Sequence, residues 1–215
     1  MNDIEQDQSS RRSGPKIGAV GAGTLVSPGS LLANSPSDIT SLTALELSSA
    51  IRSRHVSCVE VMSTFLSRID KVNPVYNAIV SRPDDSSLMA QAKTCDLELS
   101  AGNYRGWMHG MPHAAKDLAD VEGMITSSGS PIFRDNVTTA DSLHIARIRQ
   151  AGAIFVGKTN VPEFGMGSQS YNTVFGATLN PYDAQSTAGG SSGGAAAALR
   201  LNLLPVADGS DLMGS

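Results

Sequence analysis

The spacing of apolar positions changes character several times along the chain, and each change marks an element. From residue 41 the run Ser41-Leu42-Thr43-Ala44-Leu45-Glu46-Leu47 opens like a capped helix, with apolar positions continuing to Ala50 and Ile51. A second capped run follows Ser57, where Val59, Met62, Phe65, Leu66 and Ile69 recur at spacings of three and four up to Asn73-Pro74. Ala78-Ile79-Val80 reads as a strand, residues 86–99 as a third helix closed by Gly102, and residues 142–151 as a fourth. Ala153-Ile154-Phe155-Val156 lies between glycines and predicts a buried strand. Residues 164–192 are rich in Gly, Ser, Thr and Asn and show no period. Residues 195–199 then read as a buried helix, and residues 203–207 as a strand. Strands alternating with helices predict an α/β fold, a mixed β-sheet surrounded by helices.

Residues 1–37 lack a sustained period and predict either a disordered tail or a twin-arginine export signal. Arg11-Arg12 and Lys16 precede the weakly apolar stretch at 17–26, and Leu31-Leu32-Ala33 suits a cleavage site. Gly14-Pro15 departs from the apolar pair expected after the arginines. A periplasmic and a cytoplasmic location therefore both stay open. Residues 38–215 are taken as the N-terminal part of a single domain.

Composition excludes more than it assigns. A net charge of −4 gives no footprint for nucleic acid, and no stretch approaches the roughly 18 apolar residues of a membrane span. Cys58 and Cys95 sit on helical stretches and read as free thiols, with a disulfide or a nucleophile the lesser alternatives. With 21 glycines and 5% aromatics, the composition suits an enzyme whose loops carry the chemistry.

Three patterns carry chemical interest. Residues 152–159 satisfy the phosphate-loop consensus, but a helix precedes Gly152 and the four middle residues are strand-like, the reverse of what that loop needs. His109 and His113 have the spacing of two metal ligands on a helix face, yet Gly110 and Pro112 argue against a helix, so both read as surface or turn residues and no metal is expected. Gly189-Gly190-Ser191-Ser192-Gly193-Gly194 is either a flexible linker or an active-site loop. The alanine helix that follows at once, without a shift in composition, favours the loop, whose glycines would permit backbone conformations closed to other residues.

Together with Ala115-Lys116-Asp117, His109-Gly110-Met111-Pro112, residues 157–164 and Asn180-Pro181-Tyr182-Asp183, this loop resembles the amidase signature family. Residues 208–215 resemble its nucleophile loop, and the likeness runs from about Leu42 to Ser215. The resemblance implies hydrolysis of the C–N bond of a small-molecule amide through an acyl-enzyme, without metal or organic cofactor. It makes Lys116 the base, Ser191 a serine in a cis peptide that relays the proton, and Ser215 the nucleophile, with Ser192 a lesser candidate relay. Backbone N–H groups of Leu212, Met213, Gly214 and Ser215 would hold the oxyanion. It leaves open a homo-oligomer, an ammonia-generating amidotransferase of the A type, and a truncated product without activity. Family members are about twice as long, so the chain is read as an N-terminal piece ending at the nucleophile, incomplete at its C-terminal side. Such a piece is expected to be inactive and to expose sheet edges.

Overall fold

The computed structural model describes residues 38–211, 214 and 215. The tail or export signal read at residues 1–37 therefore lies outside the described residues, as do Leu212 and Met213. Helix α1 (Ala44–Arg52) starts at Thr43 and α2 (Cys58–Tyr76) at Ser57, each through a reciprocal bond with a glutamate three residues on, Glu46 and Glu60. The N-terminus of α2 has further cover, because Cys58 N and Val59 N donate to the Asp96 carboxylate on α3 (Asp85–Ser100) at 2.7 and 3.1 Å. The stripe Val61, Met62, Phe65, Leu66 and Ile69 is buried. Helix α2 runs past the expected stop, with Pro74 inside its last turn. Proline forfeits only one N–H bond there, and Asn77, left-handed at φ 51°, closes the turn onto Asn73 O.

The sheet is mixed. Strand β1 (Ile79–Val80) runs antiparallel to β3 (Ile154–Thr159), which lies parallel to β2 (Pro112–Lys116), in the order β1-β3-β2. Side chains alternate across it. Ala114, Ile154 and Val156 face the large core built on α1, α2 and α3, whereas Ala115 and Phe155 join Ala119, Val121 and Ile145 of α4 (Leu143–Gln150) in a smaller one. Both faces are thus covered, which is why the first half of β3 reads as an apolar run without alternation.

Residues 152–159 form a turn and then β3, so the phosphate-loop match has no phosphate-binding geometry. The aperiodic stretch holds two small hairpins, β4 (Tyr171–Asn172) with β5 (Gly176–Ala177) and β6 (Leu179–Asn180) with β7 (Asp183–Thr187). Helix α5 (Gly193–Arg200) begins directly after Ser192.

Three expectations need correction. Residues 203–207 form no strand; Leu203 and Leu204 fill the large core as irregular chain, and Pro205 has no N–H for a ladder. His109 does lie in a turn, but His113 is on β2 and neither is at the surface, each being 1% exposed. The expected bare sheet edge is not found at β2, all five residues of which are buried. Cys58 and Cys95 are free and buried, and burial pushes both thiols up.

Candidate active site

Lys116 ends β2, at the carboxyl edge where α/β sheets place their ligands. Its side chain is 1% exposed, and all three of its N–H directions are used. Nζ donates to Ser191 Oγ at 2.7 Å, to Ser192 Oγ at 2.9 Å and to Ser210 O at 2.9 Å. Burial pulls the Lys116 amine below its usual value, opposed by the charges of Asp208 and Asp211. The peptide between Gly190 and Ser191 is cis.

The glycine loop owes its composition to close approach. None of its four glycines has a left-handed φ, contrary to the conformational reason inferred from sequence. A Cβ at Gly194 would lie 2.3 Å from Asn160 N and 2.5 Å from Asn160 O; one at Gly193 would lie 2.4 Å from Ser170 Oγ. Ser170 Oγ in turn accepts from Gly193 N at 3.0 Å and donates to Gly189 O at 3.3 Å, pinning the loop on both sides of the serines. A flexible linker would have neither constraint.

Ser215 is exposed and gives its hydroxyl to Ser210 O at 2.7 Å. That carbonyl therefore gathers Lys116, Ser192 (3.3 Å) and Ser215 around one oxygen. Of the anticipated oxyanion donors, the N–H groups of Gly214 and Ser215 are given to Asp211 Oδ1, so in this arrangement neither is open to a ligand.

Ser191 and Ser215 both line a cavity of about 690 Å³, with Leu118, Phe164, Met166 and Gly167. Phe164 has φ 54°, an outlier for a bulky residue, and packs edge-on against Phe133 with centroids 6.1 Å apart. In the segment 167–172, suggested from sequence as an entrance, Gly167 and Ser168 line the cavity. Ser170 and Asn172 are buried instead, and Asn172 Nδ2 bonds Asn160 Oδ1 and Val161 O, both at 2.7 Å.

Two residues escaped the sequence reading. Asp208 Oδ1 accepts the backbone N–H of Lys116 at 3.0 Å and faces His113 Nε2 at 3.2 Å. Burial works against its charge, but His113 and the Lys116 N–H outweigh it and hold the carboxyl below the usual range. Lys158 is fully buried on β3, 3.9 Å from Asp117 and bonded to Ala119 O and to Thr126 Oγ1 at 2.9 Å. Burial pulls the Lys158 amine down and the Asp117 carboxyl up. Asp117 points away from the serines and binds Ser127 Oγ at 2.6 Å and the N–H groups of Ser127 and Gly129, both at 3.2 Å. A lysine inside an apolar strand run was the one available sign.

Cys95, Glu98 and His109 come close enough to share an ion. However, His109 Nε2 bonds Cys95 O at 2.9 Å, Nδ1 accepts from Arg105 N at 3.2 Å, and Arg105 grips Glu98 at 2.7 and 2.5 Å. The group is a structural tie between α3 and the turn before β2.

A family profile described as Amidase matches residues 60–215. The chain belongs to the amidase signature family. It is 42% identical over 170 residues to the A-type component of the glutamyl-tRNA(Gln) amidotransferase from Azoarcus sp. (strain BH72), a match covering 79% of this chain and 34% of that one. Among solved structures it is similar to fatty acid amide hydrolase, with TM-score 0.77 and 28% identity over 82% of this chain and 31% of the other. It is also similar to native peptide amidase from Stenotrophomonas maltophilia, with TM-score 0.70 and 30% identity over 78% and 35%. The chain thus spans about a third of the length of the relatives it matches.

Proposed function

We propose that the site hydrolyses carboxylic amides, with Ser215 as nucleophile, Ser191 as proton relay and Lys116 as base. The contact of 2.7 Å between the buried Lys116 amine and the Ser191 hydroxyl carries the reading, since Ser191 and Ser215 line one cavity. A serine is a weak nucleophile until a base takes its proton, and a lysine serves once it is neutral.

The proton inventory favours Ser191 over Ser192 as relay. A neutral amine keeps two hydrogens and one lone pair. Ser210 O can only accept, so one Nζ–H stays there. Ser192 can send its own hydrogen to Ser210 O and accept the second Nζ–H. The lone pair is left for the hydrogen of Ser191.

Ser215 first turns its hydroxyl from Ser210 O toward Ser191. Its oxygen bonds the amide carbon as the carbonyl π pair moves onto oxygen, and its proton passes through Ser191 to Lys116. Collapse breaks the C–N bond, and the proton returns to the leaving nitrogen. Water, activated along the same path, then releases the acid. For Gly214 and Ser215 to donate to the oxyanion, Asp211 must give up their N–H groups; Leu212 and Met213 are the other donors in this reading. The wall of Leu118, Phe164 and Met166 suits an amide with an apolar substituent. A second reading, an ammonia-releasing amidotransferase of the A type, has support in the 42% identity to one such protein.

The 215-residue chain by itself is expected to give no turnover of a simple p-nitroanilide. Its Ser215 is exposed, and two of the N–H groups meant for the oxyanion are engaged elsewhere. The relay is testable without turnover. A sulfonyl fluoride should modify Ser215, located by peptide mass mapping, at least tenfold more slowly in Lys116→Met and in Ser191→Ala. Equal labelling of the parent and Lys116→Met chains would overturn the assignment. Glutamine outcompeting apolar amides for protection of Ser215 would favour the amidotransferase reading.

A further inference from the structure

Lys116 occupies the outer strand of the sheet, where a backbone N–H has no neighbouring strand to receive it among the described residues. Asp208 takes that place. Both of its carboxylate oxygens lie within reach of Lys116 N, at 3.0 and 3.2 Å. Asp208 is held by His113, which precedes Lys116 by three residues on β2, through Nε2 at 3.2 Å. A carboxylate only accepts, so Nε2 carries the hydrogen. The imidazole is fixed edge-on against Phe155, with centroids 5.5 Å apart, and its Nδ1 is buried with no hydrogen-bond partner among the described residues. A buried ring atom left unpaired is uncommon and calls for an explanation; here the ring is turned to serve Asp208 at the expense of its own second nitrogen.

The clamp joins the strand carrying the base to the segment carrying the serine. Asp208 lies two residues before Ser210, whose carbonyl meets Lys116 Nζ and Ser215 Oγ. It therefore grips the lysine's main chain while its neighbour grips the lysine's tip. The charged and titratable groups around it are His113 and Lys116 on β2, His144 on α4 with Nε2 at 3.7 Å, Lys158 on β3, and Asp211 in its own segment.

We infer that Asp208, oriented by His113, is a positioning residue that fixes the backbone of Lys116 and keeps a carboxylate in the surroundings of its side chain. The inference rests on Lys116 being the base, but its test needs no substrate. Asp208 and Asp211 oppose the effect of burial on the amine. Replacing Asp208 by Asn keeps an acceptor for the Lys116 N–H and removes one opposing charge.

The test is an NMR titration of the chain carrying ¹³Cε-lysine. Its lysines are Lys16, Lys71, Lys93, Lys116 and Lys158, and a Lys116→Met sample identifies the signal. In Asp208→Asn the Lys116 midpoint should move to lower pH, while those of Lys71 and Lys93 stay in place. In His113→Leu the Lys116 amide should exchange with solvent at least tenfold faster, and His113→Gln, which restores a donor at the Nε2 position, should recover the protection. A merely structural histidine would not be rescued selectively in this way. An unmoved Lys116 midpoint in a folded Asp208→Asn chain overturns the inference. Should that variant fail to fold, equal exchange in the two His113 variants overturns it instead. If the titration moves as described but Ser215 resists the sulfonyl fluoride, the clamp stands and the hydrolase reading falls.

Discussion

Two lysines are almost wholly shielded from solvent, and their partners separate their roles. Lys116 is surrounded by two hydroxyls, which can exchange hydrogens with a neutral amine, and by a carbonyl, which can only accept one. Lys158 faces the Asp117 carboxylate, which in turn organises the turn at residues 127–129. Truncating Lys158 to Met should therefore leave a buried carboxylate uncompensated and cost about 3–5 kcal/mol, read as a lower urea midpoint. Lys116→Met should cost far less stability while slowing the labelling of Ser215. A comparable loss of stability in both variants would count against this division. The sequence marks Lys116, Ser191 and Ser215 because the role proposed for each belongs to a side chain in a recognisable string. Ser210 is illegible there because its contribution is a carbonyl oxygen, which every residue has. Asp208 is hidden for a related reason, since its partner is a backbone N–H that becomes available only once β2 forms the sheet's outer strand.

At the scale of elements, helices with capping boxes and an apolar stripe were readable to within a few residues, as α2 illustrates. The hairpins β4–β5 and β6–β7 were not, because their strands are short, mostly polar and largely outside the core, so no alternation is imposed on them. The glycine loop was recognised for a reason the structure replaces: steric approach to Asn160 and Ser170, not backbone freedom. This difference is testable within one motif. Gly194→Ala drives a methyl into the Asn160 backbone and should cost about 1–3 kcal/mol, with slower labelling of Ser215 as Ser191 is displaced. Gly189→Ala meets nothing within 4 Å and should change the thermal midpoint and the labelling rate little. If the two alanines behave alike, conformational freedom rather than contact governs the loop.

Across the described residues, the mixed sheet with helices on both faces follows from the apolar runs, whereas the meeting of residues 116, 191, 208, 210 and 215 depends on packing that local periodicity does not encode. Stability against acid tests how such distant segments are tied. Asp141 accepts a two-pronged grip from Arg149 of α4 at 2.6 and 2.8 Å, and also accepts Glu122 N at 2.8 Å, fastening the loop after β2 to the helix that covers it. The hydrogen bond from Arg149 holds its carboxyl below the usual range, with burial opposing. A depressed folded-state value means that the unfolded chain binds the proton more readily. The stabilisation is therefore fully present above the unfolded value near 3.9 and is lost as pH falls through the folded one. Asp141→Asn should accordingly be less stable than the parent at pH 7 by urea denaturation. The gap should narrow steadily below about pH 4, as the parent's own carboxyl takes up its proton. A gap that keeps its full size in acid would mean that Asp141 acts through shape rather than charge, and that the loop is tied down elsewhere.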